Sequence, residues 1–111
     1  MKINSKIKFA DEKIKQTFFS LKDGRTEEKE LFESLNKTLE QLEKNSFCGI
    51  QIPKKLIPRE YTQKYGIDNC WKHNLPNGWR LIYAIERDEV IILSIILEWM
   101  THKEYERRFG Y

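Results

Sequence analysis

The chain has 111 residues, of which 40% are hydrophobic and 33% charged. That length suits one domain, because single hydrophobic cores typically close at about 100 to 150 residues, and we expect one domain over residues 1–111. The composition excludes disordered and fibrous classes. The longest apolar stretch, residues 90–97, is far short of the roughly 20 residues of a membrane span, and no signal peptide is visible. A cytoplasmic globular protein without a membrane association is therefore predicted.

The two cysteines, Cys48 and Cys70, are too few for a disulfide scaffold and have no zinc-site spacing. We expect both to be small buried hydrophobes. No metal constellation, glycine-rich phosphate loop or catalytic triad pattern is present, so no cofactor is predicted.

Positive charge is concentrated in the middle of the chain. The net charge is only +3, but residues 51–82 contain six basic and two acidic side chains. This segment is either an anion-attracting surface or an ordinary solvated face.

In the first half, alternating apolar residues predict a strand over residues 2–9. Asp11 is predicted to cap a helix that ends near Gly24. Leucines at positions 31, 35, 39 and 42 form one apolar stripe on a second helix that begins near Thr26. The two helices are expected to form an antiparallel hairpin.

In the second half, residues 49–52 are predicted to be extended and residues 59–64 to form one or two helical turns. Three consecutive strands follow over residues 70–75, 79–86 and 89–97, with hairpin turns at Asn77 and Gly78 and at Asp88. The third strand should be covered on both faces, because both of its alternating residue sets are apolar. A Thr101-capped helical turn ending at Gly110 completes the chain.

The predicted fold class is α+β: an N-terminal strand and a two-helix hairpin on one face of a twisted antiparallel sheet, with a short C-terminal helical turn. Three segments carry a family resemblance: residues 68–75 (DNCWKHNL), residues 78–83 (GWRLIY), and the ending HKEY with FGY. Together with the order of elements, they resemble the RelE/ParE toxin superfamily of type II toxin-antitoxin systems.

The resemblance implies one of two activities. RelE-type members are ribosome-dependent mRNA endonucleases (mRNA interferases), whereas ParE-type members poison DNA gyrase by binding. It also implies a cognate antitoxin as partner, with mRNA and the ribosome, or gyrase, as target. One fold supports both activities, so the fold cannot decide between them. Arg80, Lys72 and the pair His102 and Tyr105 favour the RelE type as the expected function; a gyrase poison and an inactive interaction module are the alternatives.

Arg80 matches the phosphate-stabilising arginine of the RelE-like nucleases. Metal-independent RNA cleavage uses the 2′-hydroxyl as nucleophile, and the guanidinium would hold the charge that builds on the phosphoryl oxygens. The alternative is a structural arginine paired across the sheet with Glu86 or Glu98.

Lys72 matches a basic residue of the same family, but Asn74 stands where those enzymes have a second lysine. Either loop cations replace that charge or the chemistry is weaker. Lys72 itself is alternatively a solvent-facing strand residue. The candidate phosphate-binding cations are Lys54, Lys55, Arg59, Lys64 and Lys103.

His102 is the candidate general acid or base, since imidazole titrates near neutrality, and Tyr105 competes for the same task. Residues three apart share a helix face, so both are predicted to approach Arg80. The alternative is that His102 caps the helical turn and Tyr105 packs on the sheet. His73 is predicted to point to the opposite face from Lys72, and Trp71, Trp79 and Trp99 are expected in the core rather than stacked on bases.

Overall fold

The structure, a computed structural model, describes residues 4–87 and 91–110. Its helices and strands, in chain order, are β1 (Asn4–Phe9), α1 (Glu12–Ser20), α2 (Thr26–Lys44), β2 (Ile50–Gln51), α3 (Arg59–Tyr65), β3 (Trp71–Asn74), β4 (Trp79–Arg87), β5 (Ile91–Thr101) and α4 (His102–Phe109). The predicted α+β class is confirmed. The predicted turn at Asp88 and the first residues of the N-terminal strand lie outside the described residues. In the described part, no helix is both long and apolar enough to cross a membrane.

The two N-terminal helices begin where the sequence predicts, α1 after its capping residue Asp11 and α2 at Thr26. Asp11 Oδ1 accepts a hydrogen bond from the Ile14 amide at 2.8 Å, which satisfies an amide that has no partner within the helix. The leucine stripe of α2 is buried as predicted, with Leu35 and Leu42 at 1% and 0% exposure. Burial of such a stripe, rather than helix propensity, supplies most of the stability of a helix in water.

The sheet is mixed, so the prediction of an antiparallel sheet is wrong. The strand order is β1-β5-β4-β3-β2, and β1 runs parallel to β5, pairing Asn4 with Ile91 and Phe9 with Ile96. Parallel strands need a long crossover, and here most of the chain lies between the two. The alternating pattern of β1 predicts a strand but contains no information about its direction.

The helices cover both faces of the sheet, not one face as predicted. Leu81 and Tyr83 of β4 belong to a core formed with α1 and α2, whereas the alternate residues Ile82 and Ala84 belong to a second core with Tyr61, Tyr105 and Phe109. Successive strand residues point to opposite faces, so α3 and α4 lie on the side opposite α1 and α2. As predicted, β5 is internal and buried on both faces.

Strand β5 is longer than predicted and contains a bulge. It continues to Thr101, where Trp79 pairs with it, instead of ending near Leu97. Ile82 pairs with Glu98 while Tyr83 pairs with Ile96, so one residue of β5 is extra. A bulge reverses the alternation beyond it, which places Glu98 on the same side as Ile82.

Cys48 lies in the short turn over Ser46–Cys48, and the prediction that it is buried is wrong. Cys70 is fully buried, but Cys48 is exposed. Ser46 occupies the buried position of this turn instead, where its hydroxyl and carbonyl bond to Ser94 and Tyr83. The three tryptophans pack against the first core but remain partly exposed.

Candidate active site

Arg80 lies near the beginning of β4, on the face covered by α3 and α4. The sheet register places it opposite Asn74 of β3 and Met100 of β5. Its Nη1 donates to the Trp79 carbonyl at 3.1 Å, and its Nη2 contacts Nδ1 of His102 at 3.1 Å. The side chain is half-buried, and its Nε is buried without a hydrogen-bond partner among the described residues.

Arg80 forms no ion pair within residues 4–87 and 91–110. The alternative that it pairs with Glu86 or Glu98 across the sheet is therefore not seen in this structure. Glu98, the nearer of the two proposed carboxylates, instead accepts from Nη1 of Arg108, at 2.7 and 2.8 Å, and from the Tyr61 hydroxyl. Arg108 also binds Glu60. These acidic neighbours raise the pKa of Arg108 despite the opposing effect of burial.

His102 reaches Arg80 because of how β5 ends. Trp79, which precedes Arg80, pairs with Thr101, which precedes His102, so Arg80 and His102 lie at the same end of the sheet. Thr101 caps α4 by accepting from the Glu104 amide at 3.3 Å, which fixes His102 as the first residue of the helix. Gly78, on the facing turn, lies next to this histidine, since a Cβ built there would be in ordinary van der Waals contact with the His102 Cβ, at 3.7 Å.

The second ring nitrogen of His102 has its own partner. Nε2 lies 2.6 Å from Oε1 of Glu106, one helical turn later. Sequence reasoning does not select Glu106, although its i,i+4 spacing from His102 on a predicted helix is a signal that could have found it.

Lys72 and Tyr105 form a second contact on this face. The Lys72 ammonium lies 4.6 Å from the Tyr105 ring centroid, a cation–π distance. Tyr105 is only 2% exposed and stacks on Phe109 at 4.7 Å. The tyrosine therefore occupies the core beneath Lys72, as the packing alternative predicts.

The other candidate cations are all exposed, but their surroundings differ. Lys54 and Lys55 lie on the turn before α3, Arg59 at its first residue, and Lys103 beside His102. Lys64 is engaged elsewhere: it lies 3.8 Å from Asp11 and over the Tyr65 ring, and a hydrogen bond to Tyr65 raises its pKa. It is therefore the least available of the five for a phosphate.

His73 lies on the opposite side of the sheet, paired with Leu81 of the first core. Within the described residues, no group of three histidine, cysteine or acidic side chains could hold a metal ion.

A cleft of about 340 Å³ lies between α1, α3 and β5. Charged residues that line the cleft form ion pairs with one another: Glu98 and Glu60 bind Arg108, and Asp11 lies beside Lys64. Neither Arg80 nor His102 lines it. The cleft is thus separate from the arginine–histidine contact.

The fold and these contacts define an α+β protein with an arginine, a histidine and a lysine on one sheet face. No protein-family model, curated protein or solved structure matches the chain. The family resemblance therefore depends on the sequence segments that carry it.

Proposed function

We propose that this chain is the toxin of a type II toxin-antitoxin pair and acts as a RelE-type, metal-independent mRNA endonuclease. The observation that carries the proposal is the 3.1 Å contact between the Arg80 guanidinium and the His102 imidazole. The two residues are 22 positions apart in the sequence. RNA cleavage needs a cation for the phosphoryl oxygens and a proton-transfer group beside it, and this contact brings those two groups together.

The reaction we propose is an internal displacement. The 2′-oxygen bonds to the adjacent phosphorus, the bond from phosphorus to the 5′-oxygen breaks, and the products are a 2′,3′-cyclic phosphate and a 5′-hydroxyl. One proton leaves the 2′-hydroxyl and another joins the 5′-oxygen. Arg80 stabilises the charge that accumulates on the phosphoryl oxygens, and His102 takes part in the proton transfer.

The buried Nε of Arg80 supports this role. A buried donor without a partner destabilises a protein by roughly 1–3 kcal/mol, and such groups call for an explanation, a catalytic role being one. A structural arginine would be expected to use this donor within the fold.

Lys72 adds a second positive charge on the same face as Arg80, where its ammonium lies over the Tyr105 ring. The residue opposite Arg80 is Asn74, where RelE-like enzymes have a second lysine. We therefore expect less electrostatic stabilisation of the transition state than in those enzymes, with exposed loop cations such as Lys54 and Lys55 contributing to RNA affinity.

The experiment compares wild type, Arg80→Ala, His102→Ala and a matched control, Arg87→Ala. Arg87 is an exposed arginine at the other end of the same strand. Each variant is expressed in bacteria while growth is followed, and cleavage of a translated mRNA is mapped by primer extension. We expect wild type and Arg87→Ala to stop growth and cut mRNA, and the two site variants to cleave about 10²- to 10⁴-fold more slowly.

Three results would contradict the proposal. Undiminished mRNA cleavage by both site variants would place the chemistry elsewhere. DNA breaks with intact mRNA would indicate a gyrase poison, and normal growth with intact mRNA would indicate an interaction module. Rescue by the protein encoded in the adjoining reading frame would identify the antitoxin.

A further inference from the structure

Both ring nitrogens of His102 are occupied, and their partners are of opposite kinds. Nδ1 lies 3.1 Å from a nitrogen of Arg80, and Nε2 lies 2.6 Å from a carboxylate oxygen of Glu106. A guanidinium nitrogen can only donate, whereas an ionised carboxylate can only accept. The geometry therefore permits one arrangement: Nδ1 accepts from Arg80, and the ring proton lies on Nε2 and is donated to Glu106.

We propose that Glu106 is a positioning residue that fixes this tautomer, and that His102 is consequently the general base, acting through Nδ1. The inference depends on the nuclease function proposed above and deepens it, since the sequence leaves His102 as either acid or base. A carboxylate that holds an imidazole in the tautomer required of a general base is a recurring catalytic arrangement.

The contact with Arg80 orients Nδ1 of His102 towards the place where Arg80 would bind the phosphate. When a phosphate oxygen takes the Nη2 donor of Arg80, the Nδ1 lone pair is released beside that phosphate. The proton of the 2′-hydroxyl moves to Nδ1 as the bond from the 2′-oxygen to phosphorus forms. The 5′-oxygen leaves and takes its proton from water, while the Glu106 carboxylate stabilises the positive charge on the imidazolium.

The surroundings of His102 offer no competing carboxylate in the described part of the chain. Glu104, on the same helix, is paired with Arg107 at 3.2 Å. Glu98 is held by Arg108. Gly78, on the facing turn, has no side chain to contribute.

The test separates the tautomer from the catalysis. The full chain is labelled with ¹⁵N-histidine in wild type, Arg80→Ala, Glu106→Ala, and the double variant, with Glu104→Gln as control. The chain has two histidines, so His102→Ala assigns the signals. We expect the Nε2-protonated pattern in wild type and in Glu104→Gln. The same pattern should persist in Arg80→Ala, where Glu106 alone maintains it, and in Glu106→Ala without RNA, where Arg80 alone maintains it, and a mixture of tautomers should occur only in the double variant.

Cleavage rates complete the test. Glu106→Ala should lower kcat about 10- to 100-fold, less than loss of the base itself, with KM unchanged because Glu106 does not touch the RNA. Glu104→Gln should stay within about twofold of wild type, and equal melting temperatures would exclude misfolding.

The inference is overturned if wild-type Nδ1 carries the proton, if Arg80→Ala and the double variant give the same mixture, or if Glu106→Ala cleaves at the wild-type rate. A wild-type protein that cleaves no RNA would refute the nuclease function and the base role together. The nitrogen signals would still show whether Glu106 orients the ring.

Discussion

Removing the hydroxyl of Tyr83 should destabilise the fold by about 2–3 kcal/mol. Tyr83 is fully buried, and its hydroxyl donates to the Ser46 carbonyl at 3.0 Å and accepts from the Gly49 amide at 3.1 Å. These two bonds attach the turn after α2 to the middle of the sheet. Tyr83→Phe leaves both backbone groups without this partner.

The magnitude follows from the burial of each group. Ser46 is fully buried, so leaving its carbonyl without a donor should lower the free energy of unfolding by roughly 1–3 kcal/mol. Gly49 is half-buried, so water can partly replace the lost bond to its amide. The total loss of about 2–3 kcal/mol is a large part of the free energy of unfolding of a typical domain, about 5–15 kcal/mol. It corresponds to a drop in Tm on the order of 10 °C.

Urea unfolding followed by circular dichroism measures this loss, with Tyr65→Phe as the matched control. The Tyr65 hydroxyl is 3.5 Å from Asp11 and its side chain is half-buried, so its removal should cost about 0.5 kcal/mol or less. Equal losses in the two variants, or a Tyr83→Phe protein as stable as wild type, would refute the role assigned to the Tyr83 hydroxyl.

Two further predictions concern ionisation. Burial raises the pKa of Tyr61 and of Tyr83 above the ordinary tyrosine value, and the hydrogen bond to Glu98 raises the pKa of Tyr61 further. As the pH rises, these tyrosines therefore ionise in the unfolded chain before they ionise in the folded protein. Their contribution to the free energy of unfolding is complete below about pH 10 and is lost as the pH rises beyond it. Urea midpoints measured from pH 8 to 11 should fall above pH 10, and less steeply in Tyr83→Phe; a flat profile would contradict this. Burial likewise raises the pKa of the Cys70 thiol to about 12, whereas Cys48 is exposed; Ellman's reagent should therefore titrate one thiol in the native protein and two in urea, and rapid reaction of both native thiols would show that Cys70 is accessible.

The helices and their ends could be predicted from the sequence because the signals are local. Asp11 caps α1, Thr101 caps α4 and Gly110 ends α4 in the left-handed conformation, with φ 78°. Each of these depends on groups within a few residues of one another. The leucine stripe of α2 likewise follows from the period of the helix alone.

The site was predicted only in part. Arg80 and His102 were selected from the family resemblance, but the carboxylate beside His102 was not. The bulge in β5 could not be predicted either, because uninterrupted alternation would place Glu98 on the opposite face from Ile82. With the bulge, Glu98 lies on the same face as Arg80 but binds Arg108, and Arg80 contacts His102.

The sequence by itself determined which segments are helices and strands and where α1 and α4 are capped, since periodicity and capping depend on residues that are close together in the chain. Only the tertiary structure decided that β1 is parallel to β5, that helices cover both faces, and that Arg80, His102 and Glu106 form one hydrogen-bonded series. The physical reason is that contacts between distant segments depend on strand register and on competition among partners, and neither is encoded in any single short stretch of residues.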